Sequence, residues 1–306
     1  MISALLVALI PVLQPPPQQP ASPHLVIAGS YVPQRVFDTR LKAFGDFETM
    51  LADLARADVV FVGEQHDDAN THRLELAVVE GLLRRKVPVV IAMEMFERDV
   101  QASLDQYLAG TITEQQFLAA SRPWPRYQTD YRPIIEFAKA HQLPVIASDV
   151  PRPIAADVAK NGMPVVDALG DRRGQAAREL QCPASGEYYD RFIESMGGHP
   201  ASGDPAATDV KARNDRFYLA QCLKDETMGE SVANAFQQYG ARRATIVHFN
   251  GAFHTDYGQG TAASARRRLP GRRIAVVSMM PVDDIDTVTP DDDDVKVGDY
   301  LVFTVK

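Results

Sequence analysis

Val59-Val60-Phe61-Val62-Gly63-Glu64-Gln65-His66 and Thr245-Ile246-Val247-His248-Phe249-Asn250-Gly251-Ala252-Phe253-His254 share one design. Each is a β-branched and aromatic run that ends in Gly-x-x-His and leads toward a helix-like stretch. Runs of this kind read as buried strands. The turn that follows a strand is where open α/β sheets keep their ligand crevices. Two such turns can bring two imidazoles to one sheet edge, with Glu64 beside them. That combination points to a site for a metal, a metalloporphyrin or proton transfer.

Outward from these turns, strand-like and helix-like stretches alternate. Val87-Pro88-Val89-Val90-Ile91-Ala92-Met93 and Leu143-Pro144-Val145-Ile146-Ala147-Ser148 are near-continuous apolar runs, as expected of strands buried on both faces. Leu74, Ala77, Val78, Gly81 and Leu82 recur at helical spacing before the first run, and Tyr131, Ile134, Ile135 and Ala138 before the second. The alternation predicts an α/β fold with a mostly parallel central sheet flanked by helices. Residues 154–190 have weaker periodicity. A long helix then carries Phe217, Ala220, Lys224, Met228, Val232, Ala235, Phe236 and Tyr239 near one face. A helical insertion around 154–240 is therefore expected to cover the carboxyl ends of the strands. Ile274-Ala275-Val276-Val277-Ser278 and Tyr300-Leu301-Val302-Phe303-Thr304-Val305 are expected as edge strands. The whole of 24–306 reads as a single domain, although the repeated strand-turn-His unit hints at two halves.

The chain has 306 residues, 45% of them apolar and 24% charged, with a net charge of -8. A nucleic-acid binder would show a basic patch or stripe instead. Asp283, Asp284, Asp286 and the four aspartates at 291–294 concentrate the excess. They read as a solvated loop, without the glycine and closing glutamate of an EF-hand. Cys182 and Cys222 lack CxxC spacing, and the sequence does not decide whether they pair. Ala4-Leu5-Leu6-Val7-Ala8-Leu9-Ile10 is too short to span a bilayer but suits a secretion signal. No cysteine follows it to carry a lipid anchor. The expectation is export to the periplasm or cell envelope, with residues 1–23 a signal-like segment plus proline-rich linker and no membrane span in the mature chain.

Three strand ends carry carboxylates: Glu64, Glu94 in Ala92-Met93-Glu94-Met95-Phe96, and Asp149 in Ala147-Ser148-Asp149. A carboxylate at the tip of a buried strand loses hydration unless it finds a cation or donors. Glu94 has a second reading as a cap for a helix beginning near Arg98, and Asp149 one as a turn former before Val150-Pro151. His248 reads as packing inside its strand and His72 as a surface position. His24, His141 and His199 have no supporting context. Trp124, Tyr127 and Tyr131 cluster with Arg126, which could pair with a propionate. Tyrosinate is a known haem ligand type, so Tyr131 is a candidate, as is Tyr257 beside the second turn. The other reading of Tyr131 is core, at the head of the Ile134–Ile135 stripe.

At these residues the chain resembles the ChaN-like haem-binding proteins, iron-regulated and often exported. They belong to a superfamily with the Tiki proteases, TraB proteins and erythromycin esterases. The likeness runs through Val62-Gly63-Glu64-Gln65-His66-Asp67-Asp68, Glu94-Met95-Phe96-Glu97-Arg98, Trp124 to Tyr131, Pro144-Val145-Ile146-Ala147, Ala220-Gln221-Cys222-Leu223-Lys224-Asp225 and Asn250-Gly251-Ala252-Phe253-His254. It implies a site at the strand ends and a haem ligand, and it maps Glu64, His66, Glu94 and His254 onto the superfamily's active centre. On this reading the protein handles haem or iron, with Tyr131, Tyr257, Arg126 and Asp149 as cofactor-binding candidates. A homodimer sandwiching the flat cofactor is expected. The alternative is a metal-dependent or acid–base hydrolase in which His66, His254 and Glu94 hold a divalent ion or activate water.

Overall fold

Every residue of Val59–Glu64 (β3), Val89–Glu97 (β4) and Thr245–Gly251 (β6) is buried. That is the condition of parallel strands covered on both faces. The computed structural model describes residues 31–198 and 207–306. The signal-like segment and proline-rich linker lie outside the described residues. The remaining strands are Gln34–Asp38 (β1), Ala43–Gly45 (β2), Val145–Asp149 (β5), Ile274–Val282 (β7) and Tyr300–Val305 (β8), in one sheet of order β2-β1-β8-β7-β3-β6-β4-β5. From β8 to β5 all neighbours are parallel, while β1 and β2 form an antiparallel hairpin at one edge. The sheet is thus mostly parallel, as expected. The expected edge strands are not edges: β7 pairs with β3 and β8, and β8 pairs with β1. The hairpin that displaces them is too short and too exposed to have announced itself.

Helices cover both faces: Phe47–Leu54 (α1), Ala69–Arg84 (α2), Gln101–Leu108 (α3), Glu114–Ser121 (α4), Arg132–Ala140 (α5), Arg152–Asn161 (α6), Pro164–Asp167 (α7), Glu187–Ser195 (α8), Ala207–Tyr239 (α9) and Gly260–Arg268 (α10). Successive strand residues alternate between two cores. Val60, Val62, Ile91 and Met93 pack with Val78 and Leu82 of α2 and Ile134 and Ile135 of α5. Val59, Phe61, Val90 and Ala92 pack with Val232 and Ala235 of α9 and Ala262 and Ala265 of α10. Between β5 and β6 the chain inserts α6 to α9, close to the predicted insertion, and Cys182 is joined to Cys222 of α9 by a disulfide. At the β5 edge the Gln101 amide donates to the Val145 carbonyl (2.8 Å) and accepts from the Ala147 N–H (2.7 Å). No helix among the described residues is long and apolar enough to cross a membrane. The seven aspartates of the acidic stretch sit in a largely exposed loop between β7 and β8.

The two Gly-x-x-His turns are neighbours, because β3 and β6 pair with Gly63 opposite Asn250 and Glu64 opposite Gly251. Each glycine makes room for the other turn. A Cβ on Gly63 would lie 2.8 Å from the Ala252 Cα, and one on Gly251 would lie 2.7 Å from His66 Nε2. The Ala252 atom is backbone and cannot swing aside. Gly63→Ala should therefore destabilise by about 1–3 kcal/mol, the range of overpacking, seen as a lower thermal midpoint in circular dichroism. Gly45→Ala, whose Cβ meets nothing within 4 Å, is the control and should stay within about 0.5 kcal/mol of the parent. Replacing Cys182 and Cys222 by serine should cost about 2–4 kcal/mol in denaturant melts under oxidising conditions. The same substitution should change nothing when reductant is present.

Candidate functional site

At the carboxyl ends of β3, β4 and β6 a cavity of about 570 Å³ is lined by residues that include Glu64, His66, Glu94, Lys224, Gly251 and His254. Phe192 and Ser195 of α8 and Gln221 of α9 close it from the insertion, and Trp124 and Phe253 supply aromatic walls. Larger clefts of about 840 and 810 Å³, one along the β5 edge and one at the amino ends of β3 and β6, contain no histidine. The convergence read from the two turns is therefore present: both imidazoles and Glu94 face one cavity.

His66 is the accessible member, with 47% of its side chain exposed. Its Nδ1 lies 2.6 Å from Glu64 Oε1, which also accepts from the Tyr131 hydroxyl at 2.8 Å. The ring meets Trp124 edge-on at 5.0 Å. Burial pulls the His66 pKa down, but the hydrogen bond to Glu64 and the charges of Glu94 and Glu64 outweigh it and hold the imidazole above its ordinary value. Glu64 itself is pushed well above the carboxylate range by burial and by the Glu75 charge, against the pull of His66 and His72.

The second half of the site is a buried ionic chain. The pairing of β4 with β5 shifts register between Met93 and Glu97, and such irregularities re-aim side chains. Glu94, inside that stretch, accepts from the Gly251 N–H at 2.9 Å and from Lys224 Nζ at 2.8 Å, and His254 Nε2 lies 3.3 Å away. It is no helix cap. Lys224 also reaches Asp149 at 3.3 Å. His254 Nδ1 lies 2.7 Å from Asp225 Oδ1, which accepts from Thr261 as well, while the other Asp225 oxygen takes the Tyr188 hydroxyl. Burial disfavours the Glu94 charge, yet His254 and Lys224 overcome it and hold the carboxyl well below its usual range. Burial likewise opposes the His254 charge, but Glu94 and Asp225 raise its pKa to about 10. Asp149 is pushed up to about 6 by burial, with Lys224 opposing and Glu94 adding to the shift.

The other expected residues sit differently. Tyr131 is 1% exposed, in the core as its helical stripe implied, and supports Glu64 from behind instead of lining the cavity. Tyr257 is exposed and outside the cavity wall, beside Arg191. Arg126 is exposed and occupied by Asp130 and the Asp67 carbonyl, so it is not free to meet a propionate. His248 is packing, as expected, bonded to Ser148 and Asn250, and burial lowers its pKa to about 4. His72 is not a surface residue: it is 4% exposed and faces Glu64 and Glu75. Burial raises Glu75 to about 8. Lys224 and Asp225 were missed as site residues because helical charges read as solvent-facing. The available signal was a lysine on the buried stripe between Ala220 and Met228.

Comparison with known proteins gives the family and the fold. The sequence model of the family described as "Haem-binding uptake, Tiki superfamily, ChaN" matches residues 50–264. No curated protein matches the sequence. Among solved structures, one described as cofacial heme binding to ChaN of Campylobacter jejuni superposes with a TM-score of 0.67 at 16% identity, covering 89% of this chain and 97% of that one. A Bacillus cereus protein gives 0.47 at 11% identity over 84% of this chain and 90% of that one. An erythromycin esterase mutant in its open conformation gives 0.42 at 14% identity, over 81% and 77%. The first of these shares the fold. With its family match running from α1 into α10, this chain belongs to the ChaN haem-binding uptake family of the Tiki superfamily.

Proposed function

We propose that this protein binds haem in the cavity at the strand ends, with His66 as the iron-ligating group. The family membership carries the reading, and the state of His66 supports it. Its Nδ1 is held by a buried carboxylate and Nε2 is the nitrogen left to a ligand. Imidazoles that ligate metals are commonly oriented in this way through their second nitrogen, and histidine is a standard axial haem ligand. Haem would supply the iron and its redox chemistry; the chain supplies the basic nitrogen, the Glu64–Tyr131 support and the rings of Trp124, Phe192 and Phe253. A cavity of about 570 Å³ falls in the ~300–1,000 Å³ range of small-molecule sites. Export and a role in haem or iron acquisition belong to the same proposal. The Cys182–Cys222 disulfide supports export, since such bonds persist in oxidising compartments.

A hydrolase is the second reading, favoured by one observation: His254, Glu94 and Lys224 line the same cavity as His66. It ranks second because a general base works best with a pKa near the operating pH. Burial works against ionisation at both groups, but charges outweigh it: Glu94 and Asp225 hold His254 protonated up to about 10, and His254 and Lys224 hold Glu94 far below neutrality. Neither accepts a proton readily at neutral pH.

Hemin added to the purified protein should give a shifted Soret band. That shift should be lost in His66→Ala and kept in Tyr257→Phe; retention in the first with loss in the second would move the ligand to the rim. Because iron competes with the proton on Nε2, hemin affinity should increase as pH rises through the elevated His66 pKa. Size-exclusion chromatography with hemin should show the elution of two copies, since a half-exposed ligand leaves one haem face for a partner. Lys224→Met should strand two buried carboxylates and cost about 3 kcal/mol or more, measured by urea denaturation at neutral pH. The deficit should shrink at acidic pH, where Asp149 is protonated below its raised pKa of about 6.

A further inference from the structure

Behind His66, the Glu64 carboxylate faces a second imidazole. Its Oε1 is taken by Tyr131 and His66, and the buried Oε2 receives no donor unless a protonated Glu75 shares its proton with it. That oxygen lies 3.5 Å from His72 Nδ1 on α2. Glu75 stands one turn further along the same helix, on the same face, and brings its Oε2 to 3.1 Å from the same nitrogen. The Glu75 Oε1 is also buried without a partner. Both glutamates are essentially sealed from solvent, at 1% and 0% exposure.

The other nitrogen of His72 has acceptors of its own. His72 Nε2 lies 3.3 Å from the His66 carbonyl oxygen and 3.5 Å from Asp130 Oδ2, both acceptors. Each ring nitrogen thus faces acceptors, and a ring that ligates a metal through Nδ1 would donate its Nε2–H to these two. One nitrogen and two carboxylate oxygens, all within 4.8 Å of one another, converge on one point. With both carboxyls ionised and Nδ1 unprotonated, three acceptors would face each other in a desolvated interior and repel unless a cation or a proton lies between them.

We propose that Glu64, His72 and Glu75 bind one borderline divalent cation of the zinc type in the layer between β3 and α2. The donor set of one imidazole and two carboxylates, without thiolate, suits such an ion. The outer shell is in place: a ligating His72 would pass its second N–H to a carbonyl and a carboxylate, the arrangement that fixes ligand tautomers at metal centres. Asp130 is in turn held by Arg126 Nε at 2.6 Å. The site is distinct from the haem cavity, although Glu64 touches both. An ion on its Oε2 would pin the carboxylate whose Oε1 orients His66. The proposal goes beyond haem binding and stands or falls separately from it.

The test is to express the full chain with added zinc, dialyse it against chelator and count bound metal by mass spectrometry. One zinc per chain is expected. Glu75→Gln and His72→Gln should each weaken zinc retention at least about tenfold, while Glu94→Gln keeps it. Zinc-edge X-ray absorption of the unaltered protein should report one imidazole and two carboxylate ligands, a readout that needs no variant to fold. A two-imidazole shell would place the ion on His66 and His254 and overturn the assignment. So would parent protein that retains no zinc, which would leave a shared proton as the group between the carboxyls, or Glu75→Gln protein that retains as much as the parent. The hemin titration of Glu75→Gln reports separately on the haem reading.

Discussion

Two backbone turns that each occupy the space a side chain would need in the other set the geometry of this protein's site. Ala252 sits against Gly63 and His66 against Gly251. The contact works only because β3 and β6 are hydrogen-bonded in a register that places the two glycine steps almost side by side. From it follow the separation of the two imidazoles, the floor of the cavity and the position of the Gly251 N–H that grips Glu94. Each turn depends on the other, so neither half of the site can be built alone.

Around that steric lock the protein buries an unusual amount of charge. Glu94, Asp149, Lys224, His254 and Asp225 form a chain in which every ionised group touches an opposite one. Ion pairs of this kind seldom add much net stability, because desolvation consumes most of the attraction. Their effect is on state: they fix His254 as a cation and Glu94 as an anion across the neutral range. On the β3 side the carboxylates of Glu64 and Glu75 face imidazoles instead of an ammonium, and burial drives their pKa values upward. The cavity thus has fixed charge at Glu94, Lys224 and His254, and beside Glu64 a buried pair of carboxyls that resists ionisation.

Much of this was legible in the sequence, for a physical reason. Strands buried on both faces must be apolar along their whole length, so the runs at 59–62, 89–93 and 245–249 declared themselves, and polar residues at their ends stood out. Glu64, His66, Glu94, Asp149 and His254 were found that way. The order of strands was less legible: the apolar runs of β7 and β8 say that both faces are covered, not which strands lie beside them. The short β1 and β2 gave no signal. Helical polar residues were the main loss. His72, Glu75 and Asp225 occupy positions whose types normally meet water, and only the sheet's tips, brought beneath them by the fold, turn those positions inward. Tyr131 shows the reverse case, a core residue by its spacing that also steadies the site through its hydroxyl.

The two margins of the sheet are finished differently, and this bears on how copies of the protein can meet. At one margin the last ribbon is three residues long, flanked by Lys42 and followed by solvent. At the other, the carboxamide of Gln101 occupies both a donor and an acceptor of β5, as a neighbouring peptide unit would. A sheet with such hems offers little to an incoming backbone. Accretion of one molecule onto the next by continuous ladder growth, the route to fibrils, is disfavoured at both sides.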